Sequence, residues 1–255
     1  MIREKILFLL FAFFFCIFIY AQNNYNYQYE IVKMDTIFDQ NIDLTMETYM
    51  FHFKQEKENA MSQYIGRSKA TLTSFSPMSL LSNLLVDMLF EWGNNYLLSK
   101  KMNEADLALL NFGGIRAALP QGRITIGDIY QIFPFDNTIA FVFVKGSELK
   151  KMFDGFTEKR NAPMSNVKTI YSTGRLNSYT IGGAVINPDK IYTLVTTNFL
   201  VFGGDDILKN VNYKSIIYLD ILLRDVFIEE IYKKNEQNIE IELFKDDRVI
   251  ILPTP

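Results

Sequence analysis

The chain has 255 residues, of which 49% are hydrophobic, so it can bury a core as one large domain or as two small ones. Its formal net charge is −3 and it contains no long basic run, which argues against a nucleic-acid polymer as its partner. The only cysteine is Cys16, so no disulfide within the chain can hold the fold.

The first 21 residues have the pattern of a signal peptide. Arg3 and Lys5 precede an apolar run at residues 6–20, and Ala21 supplies the small residue expected at a cleavage site. The run is shorter than the roughly 20 residues that a membrane-spanning helix needs, and polar residues follow it. We predict cleavage after Ala21 and no stable membrane span afterwards, with an uncleaved anchor as the alternative.

A signal peptide predicts that the chain is exported. Cys16 would leave with the signal peptide, and the bulky Phe15 before it argues against lipid attachment. A secreted chain without disulfides is more typical of a bacterial envelope than of a small extracellular scaffold. The predicted location is therefore the periplasm or the cell envelope of a bacterium.

The domain organisation is predicted to be simple. After a polar stretch at residues 22–28, the sequence contains no repeat and no linker rich in proline, glycine or serine, so we predict one domain over residues 29–255. Helix and strand patterns mix without a regular βαβ order. This favours the α+β class, with helices packed on largely apolar sheets, over a doubly wound parallel fold.

Apolar residues recur three or four positions apart in two stretches, which predicts two helices. The first covers residues 81–92 and starts near Ser76 and Pro77, where proline suits a first turn; the second covers residues 216–231. Strands are predicted at residues 106–111, 138–146 and 192–200, and as a terminal pair, 239–244 and 248–252, around a Lys-Asp-Asp turn.

The sequence NFGGIR at residues 111–116 ends the first of these strands. Gly113 and Gly114 permit a backbone that approaches a ligand closely, and Arg116 offers five donors in a planar fork. Such a loop suits an anion. A tight turn with a solvated arginine is the alternative.

A second loop, NFLVFGGDD at residues 198–206, follows another predicted strand. Gly203 and Gly204 precede Asp205, whose carboxylate can accept hydrogen bonds from two hydroxyls of a ribose. Its Gly-Gly-Asp turn is also similar to that of nucleotide cyclases that make cyclic dinucleotides. Those domains work in the cytoplasm, so the signal peptide argues against that alternative.

Phe135, in a Pro-Phe-Asp-Asn turn, and Phe199 are aromatic residues close to polar loop positions. Since the chain has 22 phenylalanines, a place in the core is the ordinary interpretation of either one alone. Two such rings that face each other across a cleft would instead sandwich a flat base.

Together, the loops at residues 111–116, 134–137 and 198–206 resemble the C-terminal domain of the 5′-nucleotidase/UDP-sugar hydrolase family. The resemblance runs from Met61 to Leu208 and includes the order and spacing of the three loops. It implies a four-layer α/β/β/α sandwich that holds a nucleotide substrate, while a separate metallophosphoesterase domain binds two metal ions and hydrolyses the phosphate ester.

The resemblance also assigns roles to residues. Arg116 would lie on the phosphate side, Phe135 and Phe199 would clamp the base, and Asp205 would bind the ribose hydroxyls. The substrate-binding set that it implies is Asn111, Gly113, Gly114, Arg116, Phe135, Asn137, Phe199, Gly203, Gly204 and Asp205.

This sequence departs from the family pattern in two respects. Residues 70–83 contain no arginine, although the family usually has a phosphate-binding one before the corresponding helix. Ser82, Phe112 and Asp206 stand where glycine is common, which affects the expected loop shapes more than the fold.

The metallophosphoesterase half has no counterpart in this sequence. A dimetal centre needs several histidines and carboxylates, and the only histidine here, His52, precedes every matched loop. We therefore expect no cofactor and no catalytic residue in this chain, and divalent metals on a partner chain.

Three functional hypotheses follow. In the first, the chain is the nucleoside or nucleotide recognition half of a split 5′-nucleotidase-type phosphohydrolase in nucleotide catabolism, and its partner is a separate metallophosphoesterase chain. In the second, it is a free-standing envelope protein that binds nucleosides or nucleotides without hydrolysing them. In the third, the fold persists as a scaffold, and Phe135 and Phe199 belong to the core.

Overall fold

A computed structural model describes residues 27–33, 36, 43–242 and 247–253. The chain divides into two units, Met1–Phe51 and His52–Pro255. The predicted signal peptide lies outside the described residues, so the domain limits 1–21, 22–28 and 29–255 stay predictions. In the described ranges, none of the helices combines the length and apolar character that a bilayer crossing requires.

Six helices and ten strands are described between residues 44 and 252. The helices are α1 (Leu44–Met61), α2 (Leu80–Ser99), α3 (Ile126–Ile132), α4 (Gly146–Asp154), α5 (Asn198–Val201) and α6 (Leu223–Glu236). The strands are β1 (Tyr64–Ser68), β2 (Leu107–Leu109), β3 (Gly122–Thr125), β4 (Thr138–Lys145), β5 (Met164–Ser165), β6 (Val167–Ser172), β7 (Arg175–Ile181), β8 (Ile191–Thr197), β9 (Tyr213–Leu222) and β10 (Val249–Leu252). Two 3₁₀ turns, Phe112–Gly114 and Gly204–Asp206, lie in the loops singled out above.

A five-stranded sheet in the order β5-β2-β8-β4-β9 forms the centre of the second unit. Its inner strands β2, β8 and β4 are buried on both faces. Side chains alternate along β4, so Ile139 and Phe141 pack in one hydrophobic cluster while Ala140 and Val142 pack in another. Because both faces are covered, β4 is a continuous apolar run rather than an alternating one.

The two faces are covered by different elements. Helices α2 and α6 supply Leu85, Leu89 and Phe227 to the first cluster. On the other face, helix α4 packs beside the three-stranded sheet β10-β6-β7, where the rings of Phe153 and Tyr179 stack at 4.1 Å between centroids. This mixture of helices and sheets confirms the predicted α+β class.

The first predicted helix is present but starts later than expected. Helix α2 begins at Leu80, and its N-cap residue is Ser79; Pro77 lies before the helix. The Ser79 hydroxyl accepts a hydrogen bond from the Ser82 amide, and the Ser82 hydroxyl accepts one from the Ser79 amide, which completes a capping box. Ser82, which departs from the family glycine, therefore has a local role in this cap.

The prediction of a helix over residues 216–231 is wrong in its first half. Residues up to Leu222 belong to strand β9, which pairs antiparallel with β4, and helix α6 begins only at Leu223. Leu219 and Ile221 both pack against the first cluster, two residues apart, as in a strand. The spacing of the apolar positions is compatible with both a helix and a strand, and pairing with β4 selects the strand.

The central predicted strands are confirmed, and the terminal pair is wrong. Strands β2 and β4 lie within the predicted ranges 106–111 and 138–146. Strand β8 covers residues 191–197, whereas the last three residues of the predicted range 192–200 belong to helix α5. The terminal segments do not pair as a hairpin in the described residues. Strand β10 is parallel to β6, and Ile241 bridges Ser68. A turn sequence indicates a reversal but does not select a pairing partner.

Candidate nucleotide-binding site

The three loops meet at one edge of the central sheet. Strands β2 and β8 are parallel, and β4 is antiparallel to β8, so the ends of β2 and β8 lie beside the start of β4. The residues that follow or precede these ends surround a cavity of about 290 Å³. Eight of the ten predicted site residues line it, namely Asn111, Gly113, Gly114, Arg116, Phe135, Asn137, Phe199 and Asp205. The other two, Gly203 and Gly204, lie in the turn before Asp205.

The loop after β2 is a tight turn held around Asn111. Asn111 is buried, with 7% of its surface exposed, and its carbonyl accepts a hydrogen bond from the Gly114 amide at 3.2 Å. A Cβ atom on Gly114 would lie 2.7 Å from Asn111 Oδ1, so a side chain there would displace this amide. The glycine therefore allows the turn to close over Asn111.

Asn111 also joins this loop to the loop after β8. Its Nδ2 donates a hydrogen bond to Oδ2 of Asp205 at 2.7 Å. Asp205 is exposed and has a φ of 54°, in the left-handed region where aspartate is one of the better tolerated residues. This conformation presents its carboxylate to the cavity, within reach of a hydroxyl-bearing ligand.

Phe199 covers the Gly-Gly turn of the same loop. A Cβ atom on Gly204 would lie 2.5 Å from Cδ1 and Cζ of the Phe199 ring, well inside van der Waals contact. Glycine at this position thus lets the ring pack directly against the backbone. Phe199 also lines the cavity, and 38% of the residue is exposed.

Phe135 lines the cavity from the loop before β4. It is 50% exposed, and in the described part of the chain neither Phe135 nor Phe199 stacks on another aromatic ring. Neither side chain is a core residue, so the interpretation of each phenylalanine as core packing does not apply. Two exposed aromatic faces beside one cavity suit a planar aromatic ligand.

Arg116 supplies positive charge to the cavity. It is exposed, its Nη1 donates to the Gly113 carbonyl at 3.2 Å, and no carboxylate forms a salt bridge with it among the described residues. Its backbone amide donates to the Ile132 carbonyl at 2.9 Å, which fixes the base of the side chain. The guanidinium is therefore available to an anionic group.

Two residues that the sequence analysis missed hold the aromatic loops. Arg224, from helix α6, has a side chain that is 11% exposed; it pairs with Asp136 at 2.6 Å and donates to the Phe135 carbonyl at 3.4 Å. Burial opposes the charge of Arg224, but interactions with Asp136 and Tyr130 together outweigh it and raise the pKa of the guanidinium. The other residue is Asn198, just before Phe199. Nothing local to position 224 could have indicated a contact with a loop 89 residues away.

The described residues do not offer a metal centre. They contain no group of three or more histidine, cysteine, aspartate or glutamate side chains that could hold a metal ion, and His52 lies in helix α1. The residues in this part of the chain do not fit the donor set of a dimetal hydrolase. The cavity instead combines two aromatic faces, one carboxylate and one guanidinium.

The family model of the 5′-nucleotidase C-terminal domain matches residues 60–210, which is more than half of the chain. This chain belongs to the 5′-nucleotidase C-terminal domain family. The resemblance predicted over Met61 to Leu208 is thereby confirmed. Every residue that lines the cavity lies inside the matched segment.

Curated relatives match a part of the chain. Protein UshA of Yersinia enterocolitica is 33% identical over 106 residues, which are 40% of this chain and 19% of UshA. Endonuclease YhcR of Bacillus subtilis is 34% identical over 103 residues, which are 38% of this chain and 8% of the endonuclease. The matched segment is thus a small share of each of these longer proteins.

Solved structures share the fold of this family member. The 5′-nucleotidase precursor of Thermus thermophilus superposes with a TM-score of 0.66 and 23% identity, over 84% of this chain and 44% of the other. The NAD nucleotidase of Haemophilus influenzae gives a TM-score of 0.60 with 16% identity, over 82% and 41% of the two chains. At these identities the likeness establishes the fold alone.

Proposed function

We propose that this domain is the nucleoside and nucleotide recognition half of a 5′-nucleotidase-type phosphohydrolase in nucleotide catabolism. A separate metallophosphoesterase chain would carry the divalent metals and perform the hydrolysis. The observation that carries the proposal is the cavity, where Phe135 and Phe199 expose aromatic faces, Asp205 presents a carboxylate and Arg116 a guanidinium. These groups match a base, a ribose diol and a phosphate.

The names of the similar proteins support this substrate class. They include 5′-nucleotidases and an endonuclease, whose substrates all contain nucleotides. Nucleotidases and an endonuclease catalyse different cleavages. A shared domain among them is therefore better explained by recognition of the nucleotide than by one particular reaction.

The contribution of this chain to hydrolysis would be positional. Contacts to the base and ribose, which do not react, supply binding energy that orients the phosphate toward a hydrolytic centre. Phe135 and Phe199 would fix the plane of the base, Asp205 would accept hydrogen bonds from the hydroxyls, and Arg116 would hold the phosphate. No proton is transferred by these residues in this scheme.

The proposal includes export of the chain from the cytoplasm. The signal-peptide pattern of residues 1–21 would deliver the chain to the periplasm or cell envelope, where a partner with its own export signal could meet it. Association would then replace the covalent connection between recognition and hydrolysis.

One departure from the family pattern supports the alternative of a free-standing nucleoside-binding protein. Residues 70–83 contain no arginine, and the start of helix α2 is capped by serine hydroxyls instead. Arg116 would then be the main phosphate contact. If adenosine and AMP bind equally well, the free-standing nucleoside-binding protein becomes the better description.

Calorimetric titration with adenosine, AMP and ribose 5-phosphate tests the recognition step. We expect AMP to bind more tightly than either of the others, since it alone offers base, diol and phosphate. The second step mixes the chain with candidate metallophosphoesterases and measures phosphate release from AMP. If none of the three ligands bound, the proposal would be overturned. If they bound but the chain did not increase phosphate release by any metallophosphoesterase, the proposed partnership with a separate catalytic chain would be wrong.

A further inference from the structure

The two aromatic loops are tied together by one side-chain oxygen. Oδ1 of Asn198 accepts a hydrogen bond from the Thr138 amide at 3.0 Å and from the Phe199 amide at 2.8 Å. Thr138 is the first residue of β4 and follows the loop that carries Phe135. A single atom therefore contacts both segments from which the aromatic rings project.

The position of Asn198 in the sheet explains this double contact. The ladder between β4 and β8 ends at the pair Ile139 and Thr197, so Thr138 and Asn198 occupy the next rung. The backbone turns into helix α5 at that point, and the Asn198 carbonyl accepts from the Phe202 amide at 2.9 Å instead. The side-chain oxygen takes the place of the missing backbone acceptor and extends the ladder by one bond.

This extra rung matters because it connects the two segments, whereas the packing of Phe199 against Gly204 constrains one ring alone. Phe135 and Phe199 are both half-exposed, and neither stacks on another ring among the described residues. Their separation therefore depends on the backbone that carries them. Arg224 contacts the Phe135 loop from helix α6, whereas Asn198 connects that loop to Phe199.

We infer that Asn198 is a positioning residue that sets the gap between Phe135 and Phe199, and so the fit of a planar base between them. The inference rests on the proposed function, because it assumes that the cavity binds a nucleoside or nucleotide. Asn198 does not line the cavity, so it acts through the two rings rather than by touching the ligand.

The test compares two substitutions at this position. Asn198→Leu keeps the size of the side chain and removes the acceptor, whereas Asn198→Asp keeps an oxygen that can accept both amide hydrogens. The measured quantity is the ratio of AMP affinity to ribose 5-phosphate affinity, since only AMP has a base to stack. We expect N198L to lower this ratio about tenfold and N198D to keep it within about twofold of the wild type.

A matched control separates positioning from general stability. The Asn94 side chain in helix α2 likewise accepts a hydrogen bond from a backbone amide, that of Ala105 at 2.7 Å, away from the cavity. Asn94→Leu should lower the melting temperature as N198L does, but leave the affinity ratio unchanged. Should N198L fail to fold, Asn198→Ala, which removes the same acceptor without adding an apolar group, replaces it.

The outcomes distinguish this inference from the proposed function. If the wild type binds AMP no more tightly than ribose 5-phosphate, base recognition itself fails and the inference with it. If the wild type prefers AMP and folded N198L retains that preference, the positioning role alone is wrong. A loss of preference in N198D equal to that in N198L would also overturn it, because the acceptor would then not be the cause.

Discussion

The side-chain amide of Asn111 donates a hydrogen bond to the carboxylate of Asp205 at 2.7 Å, although the two residues are 94 positions apart. Both residues line the cavity, and this contact orients the Asp205 carboxylate there. A hydrogen bond from a buried donor to a carboxylate is stronger than one between neutral groups. It therefore fixes the two loops relative to each other before any ligand binds.

Replacement of Asp205 by asparagine should weaken adenosine binding by about 1.5–3 kcal/mol, the usual contribution of hydrogen bonds to a charged group. Asparagine can still accept the bond from Asn111, so the loops should keep their arrangement. The measurement is calorimetry with adenosine and with 2′,3′-dideoxyadenosine, for which the substitution should change little. Asp206→Asn is the control, since Asp206 is exposed, pairs with Lys209 and does not line the cavity. Equal losses for both nucleosides would contradict the assignment.

Substitution of either cavity phenylalanine by leucine should cost about 1–3 kcal/mol of base binding, because each ring offers one stacking face. Phe135 and Phe199 are half-exposed, so the free energy of unfolding should change by less than about 1 kcal/mol. Phe202→Leu is a matched control, since that ring is 74% exposed and stacks on Tyr218 outside the cavity lining. If F202L weakened AMP binding as much as F199L does, the clamp would be wrongly assigned.

A methyl group on Gly204 should displace the Phe199 ring, because the added Cβ would lie 2.5 Å from two ring atoms. We expect Gly204→Ala to reduce AMP affinity by about as much as Phe199→Ala. A double-mutant cycle checks the mechanism, since G204A should have almost no further effect once the ring is absent. Additive losses would mean that Gly204 acts on something other than Phe199.

Neutralisation of Arg116 should reduce the affinity for AMP about tenfold or more and leave adenosine binding nearly unchanged. The reason is that Arg116 is the cation that lines the cavity, and hydrogen bonds to charged groups contribute about 1.5–3 kcal/mol. Arg116→Gln is compared with Arg123→Gln, an exposed arginine that contacts Ser62 and the Tyr64 ring. An equal loss for both ligands in R116Q would point to loop disruption rather than phosphate contact.

The stability of the second unit should fall at alkaline pH. Burial in strand β6 raises the pKa of Tyr171 from 10.0 to about 12, although a hydrogen bond with Thr169 opposes the shift. The folded state holds the phenol proton more tightly, so this contribution is fully present below pH 10 and is lost as the pH rises toward 12. Denaturant unfolding between pH 9 and pH 12 measures the decline, and Tyr171→Phe should make it shallower. The same slope in Y171F would assign the decline to other groups.

Much of the candidate site was predictable from the sequence because its signals are local. Asn111, Phe199 and Asp205 each follow a strand whose apolar run is legible without a structure, and glycines mark the turns beside them. The order and spacing of three such loops then indicated the family. Arg116 and Phe135 were found for the same reason, since each stands out against its neighbours in a short motif.

The residues that hold the site together were not predictable in this way. Asn198 and Arg224 act through contacts with segments 60 and 89 residues away, and no local motif marks either of them. Their roles follow from the strand order, which brings the start of β4 beside the end of β8 and the start of α6. Sequence distance carries no information about such a contact.

The α+β class was predictable from the sequence by itself, because backbone preferences and apolar periodicity act over a few residues. The side chains that line the cavity were predictable through the resemblance of three loops to a known family. The tertiary structure decided that residues 216–222 form an edge strand, that β10 pairs with β6, and that Asn111 meets Asp205. Pairing partners are chosen by burial and hydrogen bonding across the whole sheet. A segment whose pattern fits two local structures therefore adopts the one that completes the packing around it.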